Sequence, residues 1–222
     1  MRQKGLRNMF RLIAFDLDGT LVEFNIPFEE IRAVLGIKGR FVLESILSEK
    51  DERKREEMLR ILEEYELKSA ENARLAFYAK EVLQFLRERK IIHGIVTRNS
   101  RRSVEIISRK FGLEFDFVIT REDANPKPSP EPIKVILKKF AIDPSSALVV
   151  GDYLFDLLSG KSAGVKTALI VHEKNREMIE NLKIHADYVF YSLKELAEFL
   201  ERGYDTEGSS KVCVSRNERE AR

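Results

Sequence analysis

Cysteine occurs once in the 222 residues, as Cys213 in a polar C-terminal stretch. An intramolecular disulfide is therefore impossible, and a cysteine-rich zinc site is excluded. No apolar run is long enough to span a bilayer. The segment Met9–Phe15 is short, contains Arg11 and leads straight into acidic residues, so no secretory signal is expected. An excess of charge is also lacking. Thirty-nine Lys and Arg face 37 Asp and Glu, which argues against a nucleic-acid binder driven by a broad basic surface. Asn and Gln are few beside Glu, Lys and Arg, a composition that leans toward a heat-tolerant source. Together these absences describe a cytoplasmic protein with no nucleic-acid and no membrane partner.

What is present suffices for a large core. Hydrophobic residues make up 43% of the chain, enough for one core domain and a small accessory one. Leu12–Phe15 reads as one short buried strand. It ends in Asp16, Leu17, Asp18, Gly19 and Thr20. A strand followed by an Asx-type turn explains one Asp and the Gly. It does not explain two carboxylates bracketing Leu17, which are costly to bury without a cation or hydrogen-bond donors nearby.

From residue 25 to 77 the pattern is all-helical. Pro27 starts a helix with Glu29 and Glu30 in its first turn, and Gly36 stops it. A second helix starts near Gly39. From Glu49 a charged helix follows, in which Glu49/Arg53, Asp51/Arg55, Glu56/Arg60 and Glu64/Lys68 have i,i+4 pair spacing over a Met58, Ile61, Leu62 and Tyr65 stripe. From Tyr78 strands and helices alternate. Strands are expected at Ile91–Val96, Phe117–Thr120, Ala147–Val150, Val165–Val171 and Tyr188–Phe190, with a helix near Asn175–Asn181 and a last one at Leu193–Leu200. That alternation predicts an α/β protein: a parallel sheet core with helices on both faces, into which residues 25–77 are inserted. Residues 1–24 and 78–202 make the core and 203–222 a polar, mobile tail.

In an open parallel sheet, ligands bind beyond the carboxyl ends of the strands. Asp16, Thr97 and Asp152 each follow such a run, directly or one Gly later, and Lys127 sits in a proline-stiffened loop after another. Each alone reads as a strand-end, turn or surface residue. Converging on one edge, carboxylates, a hydroxyl and an ammonium suit a phosphate dianion with a hard divalent cation.

The stretch Asp16–Thr20 resembles the first motif, DxDGT, of the haloacid dehalogenase (HAD) superfamily, most of whose members are Mg-dependent phosphatases. Thr97 in VTRN looks like the second motif. Lys127 in KPSPEP resembles the third, and Gly151–Asp156, GDYLFD, the fourth. Four motifs in order identify the chain as similar to the branch with a small helical cap inserted after the first motif, whose members resemble phosphoglycolate phosphatase and beta-phosphoglucomutase. The resemblance implies a Rossmann-like core and an aspartyl-phosphate route on a small phosphorylated metabolite. In that route Asp16 is the nucleophile and Asp18 the acid and base. Mg²⁺ is held by Asp16, the Asp18 carbonyl and Asp152, with Asp156 either a metal ligand or an orienting group. Thr97, Lys127 and the backbone around Leu17 and Asp18 hold the phosphoryl oxygens. A phosphomutase with the same residues, or a catalytically silent binding domain, is the alternative reading.

Two departures from the family pattern stand out. Glu23 occupies a position where the family often carries Asp, and it is read as non-catalytic. Arg98 separates Thr97 from Asn99 and either adds positive charge beside the phosphate or faces solvent. Arg40, after the break Gly36-Ile-Lys-Gly39, is the candidate for substrate specificity in the cap, set against a plain surface arginine.

Overall fold

The structure, a computed structural model, describes residues 10–205. The lead-in at 1–9, most of the expected tail and Cys213 lie outside the described residues. Six parallel strands form one sheet in the order β3-β2-β1-β4-β5-β6. They are β1 (Leu12–Phe15), β2 (Ile92–Val96), β3 (Phe117–Ile119), β4 (Ala147–Gly151), β5 (Lys166–Ile170) and β6 (Tyr188–Phe190). Chain order reverses direction across the sheet at β1, which lies between β2 and β4. A cleft opens at such a switch point, beyond the strand ends.

All four residues of β1 are buried, and their alternation divides the core in two. Ile13 and Phe15 join a cluster with α4 (Ala79–Glu88), α5 (Arg101–Phe111) and α9 (Leu193–Asp205). Leu12 and Ala14 join another with α6 (Glu131–Phe140). A period of two along one strand thus feeds helical layers on both faces, as the sequence predicts. Each large apolar side chain buried this way contributes about 1.5–3 kcal/mol.

Three helices separate β1 from α4: α1 (Phe28–Leu35), α2 (Val42–Leu47) and α3 (Glu52–Glu71). They carry their own cluster, which includes Ile31, Leu43, Ile46 and Leu62. Pro27 and Gly36 bound α1 as expected, Gly36 in the left-handed conformation that ends a helix. The chain leaves and re-enters the core side by side: Glu23 N donates to Arg74 O at 2.9 Å and Ala76 N to Leu21 O at 3.0 Å. On the core side, α3 packs along α5.

The structure departs from sequence expectation in several places. The ion pairs formed within α3 and its N-terminal flank are Glu49–Lys54, Glu52–Arg55, Glu57–Arg60 and Arg60–Glu64, none of them among the four pairs named from the sequence. Asp51 instead caps the helix, accepting from Lys54 N at 3.1 Å. The segment expected to be a helix at 175–181 is a 3₁₀ turn, Glu173–Met178, running into α8 (Ile179–Lys183). The last helix passes through Gly203 to Asp205, beyond the expected core boundary. Tyr204 holds that turn: its ring meets Phe85 at 6.2 Å, and its hydroxyl accepts from Phe10 N at 3.2 Å.

Candidate active site

Register fixes which residues meet. Phe15 is level with Ile95 of β2 and with Val150 of β4. Asp16 therefore leaves the sheet beside Thr97 and Asp152, and its amide donates to Val150 O at 2.8 Å. Two glycines permit the crowding. At Gly19, with φ +87°, a Cβ would lie 2.3 Å from Asp152 Oδ2. At Gly151 it would lie 2.3 Å from Asp156 Cβ. Only glycine lets the strand-end loops approach so closely.

Lys127 links the edge together. Its Nζ lies 2.5 Å from Asp16 Oδ1 and 2.5 Å from Asp156 Oδ1, with the lysine side chain only 3% exposed. Asp156 in turn accepts from Tyr153 N at 3.1 Å, at the first turn of α7 (Leu154–Ser162). Asp156 is thus held by the helix start while it pairs with Lys127. Asn99 Nδ2 donates to Asp18 Oδ2 at 2.6 Å, and Asn99 N donates to Thr97 Oγ1 at 3.2 Å. The amides of Leu17 and Asp18 find no acceptor among the described residues, while Leu17 O accepts from Leu21 N at 2.9 Å and Val22 N at 3.0 Å. The turn's own hydrogen bonds thus leave those two donors unused.

Asp152 has partners that sequence reasoning missed. His172 follows β5 by two residues, and its Nε2 lies 2.8 Å from Asp152 Oδ2. Because His172 Nδ1 accepts from Lys174 N at 3.2 Å, the proton belongs on Nε2, which donates to the carboxylate. Asn175 Nδ2 donates to Asp152 O at 2.8 Å and Ile170 O at 2.9 Å. The strand-end rule that finds Asp16 and Thr97, applied to β5, leads to His172.

Electrostatics follow from burial. Desolvation raises the Asp16 carboxyl well above the usual range, against the pull of Lys127 and with a push from Asp156 and Asp152. Burial likewise raises Asp152, opposed by the His172 hydrogen bond. Asp18 is pushed up to about 7 by burial, opposed by Asn99 and aided by the charge of Glu66. Burial works against the Lys127 charge, yet Asp156 and Asp16 raise its pKa. Four carboxyl groups, of Asp16, Asp18, Asp152 and Asp156, thus crowd around one ammonium.

Such an imbalance fits a divalent cation. One oxygen each from Asp16, Asp152 and Asp156 lie within 4.8 Å of one another, the span of two metal–oxygen bonds. An all-oxygen donor set selects a hard ion such as Mg²⁺.

A cavity of about 450 Å³ extends from this edge under α1–α3. Arg98 and Arg40 both line it. The Arg98 guanidinium is engaged by Glu44 of α2, with both carboxylate oxygens at 2.7 Å, by the Lys127 carbonyl, and by the Phe155 face 4.6 Å away. It is thus partly exposed in the cavity with a carboxylate counter-charge already in place. Arg40 is exposed and precedes α2, so it is a loop residue rather than the first residue of a helix. Glu23 is exposed and does not line the cavity.

A second cap carboxylate grips the same loop. Glu66 of α3 is buried, accepts from Ser100 N at 3.0 Å and pairs with Arg121 at 2.5 Å. Arg121 also donates to Arg98 O at 3.1 Å. Glu66 lies four residues beyond Leu62 on the buried stripe, the spacing that could have found it.

A sequence profile described as haloacid dehalogenase-like hydrolase matches residues 23–170. Pyrophosphatase PpaX of Oceanobacillus iheyensis is 29% identical over 206 residues, covering 84% of this chain and 94% of that protein. Phosphoglycolate phosphatase of Haemophilus influenzae is 27% identical over 225 residues, covering 88% and 100%. The crystal structure of a hydrolase from Pseudomonas syringae superposes with a TM-score of 0.73 at 19% identity, covering 86% and 98%, a likeness of fold. No helix among the described residues is long and apolar enough to cross a membrane.

Proposed function

Because the chain belongs to the haloacid dehalogenase-like hydrolase family, we propose that it is a Mg²⁺-dependent phosphatase acting on a small phosphorylated metabolite through an aspartyl-phosphate. The observation that carries this reading is the pairing of Asp16, held by Lys127 at 2.5 Å, with an Asp18 whose carboxyl is pushed up to about 7 by burial. The relatives named above as a pyrophosphatase and a phosphoglycolate phosphatase support the reaction class.

In this reading Asp16 Oδ attacks phosphorus while the bond to the leaving oxygen breaks. Asp18, protonated at the outset, delivers its proton to that oxygen. Asn99 holds the Asp18 carboxyl in place by its 2.6 Å bond. In the second half, Asp18 takes a proton from water as the water oxygen attacks phosphorus and the bond to Asp16 breaks. Lys127, Thr97 and the Leu17 and Asp18 amides offset the charge that develops on the phosphoryl oxygens. Asp16, Asp152 and the Asp18 carbonyl would hold Mg²⁺, which neutralises phosphoryl charge when bound. His172 and Asn175 orient Asp152 for that task. Helices α1–α3 act as a cap that excludes bulk water, and Arg40 is its candidate for substrate selection.

Hydrolysis of p-nitrophenyl phosphate by metal-stripped protein, before and after addition of Mg²⁺, tests the reading. Turnover is expected only with the metal and is abolished by EDTA. Full activity in the stripped protein would overturn it.

A further inference from the structure

The cavity is larger than a phosphoryl group requires. Its volume of about 450 Å³ falls within the ~300–1,000 Å³ of pockets that enclose drug-sized ligands. Five aromatic residues line it: Phe24, Phe28, Phe41, Tyr153 and Phe155. None of the five is fully buried. The rings meet across the cap and core. Phe41 before α2 lies 5.0 Å from Phe155 of α7, and Phe155 lies 5.2 Å from Tyr153. Ring surface left open inside a recess is surface that gains by being covered.

The cations of the cavity divide into two kinds. Arg32 is paired with Glu29, and Arg98 with Glu44. Arg40 and Lys174 have no carboxylate partner among the described residues. Arg40 lies over Phe41 at 5.6 Å, with Met178 Sδ at 3.7 Å, and Lys174 over Phe24 at 5.1 Å, donating to the Phe24 carbonyl. Each unpaired cation is therefore seated on one of the aromatic rings. A ligand covering those rings brings any anion it carries next to a charge that lacks a counter-charge.

We propose that the physiological substrate is a phosphate monoester whose leaving group joins a flat apolar body of about ring size to one anionic group. This rests on the phosphatase reading and narrows it. Pyrophosphate and phosphoglycolate supply the second anion without the apolar body, and phenyl phosphate supplies the body without the anion.

Two matched pairs of substrates separate the contributions. O-phospho-phenyllactate against phosphoglycolate adds a ring at a constant carboxylate. 4-Carboxyphenyl phosphate against phenyl phosphate adds a carboxylate at a constant ring. The kcat/KM of the Mg²⁺-loaded protein, corrected for solution hydrolysis, is expected to rise ~10-fold or more in each pair, since one methylene in an apolar pocket already commands about 10-fold or more. Arg40→Gln should bring the second ratio toward one. Ratios at or below one in the native protein would overturn the proposal while the hydrolysis observed left the phosphatase reading standing. No hydrolysis of any of the four would overturn the phosphatase reading and this proposal with it.

Discussion

The strand-end edge and the helical roof above it are built on opposite plans. At the edge the charged side chains have assigned partners: Lys127 pairs with Asp16 and Asp156, Asn99 with Asp18, and His172 with Asp152. Lys127, Asn99, Asp152 and Asp156 are buried, Asp16, Asp18 and His172 are partly so, and sheet register fixes where the strand-end residues stand. The roof, with the turn after β5 that faces it, presents partly exposed rings and two cations, Arg40 and Lys174, with no carboxylate partner among the described residues. The edge has a rigid geometry and an excess of negative charge, suited to one reaction on any phosphoryl group. The roof has open surface, suited to choosing what that group is attached to. Glu44 and Glu66 join the two, because both reach from cap helices to the loop that carries Thr97 and Asn99.

Changes at the edge should therefore depress all substrates alike, and changes in the roof should divide them. Asp16→Asn is expected to have the largest effect, removing the nucleophile and with it all measurable turnover. Asp18→Asn should cost roughly 10²–10⁴-fold with a poor leaving group, the usual worth of acid–base assistance. A residual rate in Asp16→Asn equal to that in Asp18→Asn would break the assignment of separate roles.

His172→Ala leaves the Asp152 carboxylate without its imidazole donor. The Mg²⁺ concentration giving half-maximal activity should rise about 10–100-fold, the typical effect of losing an orienting partner of a metal ligand. An unchanged metal titration would remove His172 from the site.

The two joining carboxylates should differ in stability. The side chains of Glu66 and Arg121 are only 3% and 8% exposed, so Glu66→Ala strands a charge and should cost about 3–5 kcal/mol, roughly 6–20 °C in Tm for a protein of this size. Glu44 is exposed over 41% of its side chain, and Glu44→Gln should cost at most ~1 kcal/mol. Thermal unfolding of the two variants side by side checks the difference, and equal shifts would contradict it.

Much of the edge was legible because its chemistry lies at strand ends. Asp16, Asp18, Thr97, Lys127 and Asp152 fall where an apolar run gives way to a polar loop, and the sheet brings such points together. Asp156 is ambiguous in sequence, and in the structure it both pairs with Lys127 and stands in the carboxylate cluster with Asp16 and Asp152. Arg98 was undecidable, since its partner Glu44 is 54 residues away on a helix that no local pattern positions. Glu66 was hidden within a run of charges that reads as a solvated face. The ion pairs of α3 were misassigned because several i,i+3 and i,i+4 alternatives compete at ~0.2–0.5 kcal/mol each. Helix boundaries failed where a distant contact decides them, as Phe85 and Phe10 do for Tyr204.

The account stands on a covalent step at Asp16, and acid-quench mass spectrometry reads that step directly. With p-nitrophenyl phosphate, whose leaving group needs no proton, Asp18→Asn should still transfer phosphate to Asp16 but release it slowly. The account predicts a burst of p-nitrophenolate near one equivalent and a phosphorylated peptide that contains Asp16. Continued turnover with no adduct at Asp16, or an adduct on the same peptide in Asp16→Asn, would contradict it.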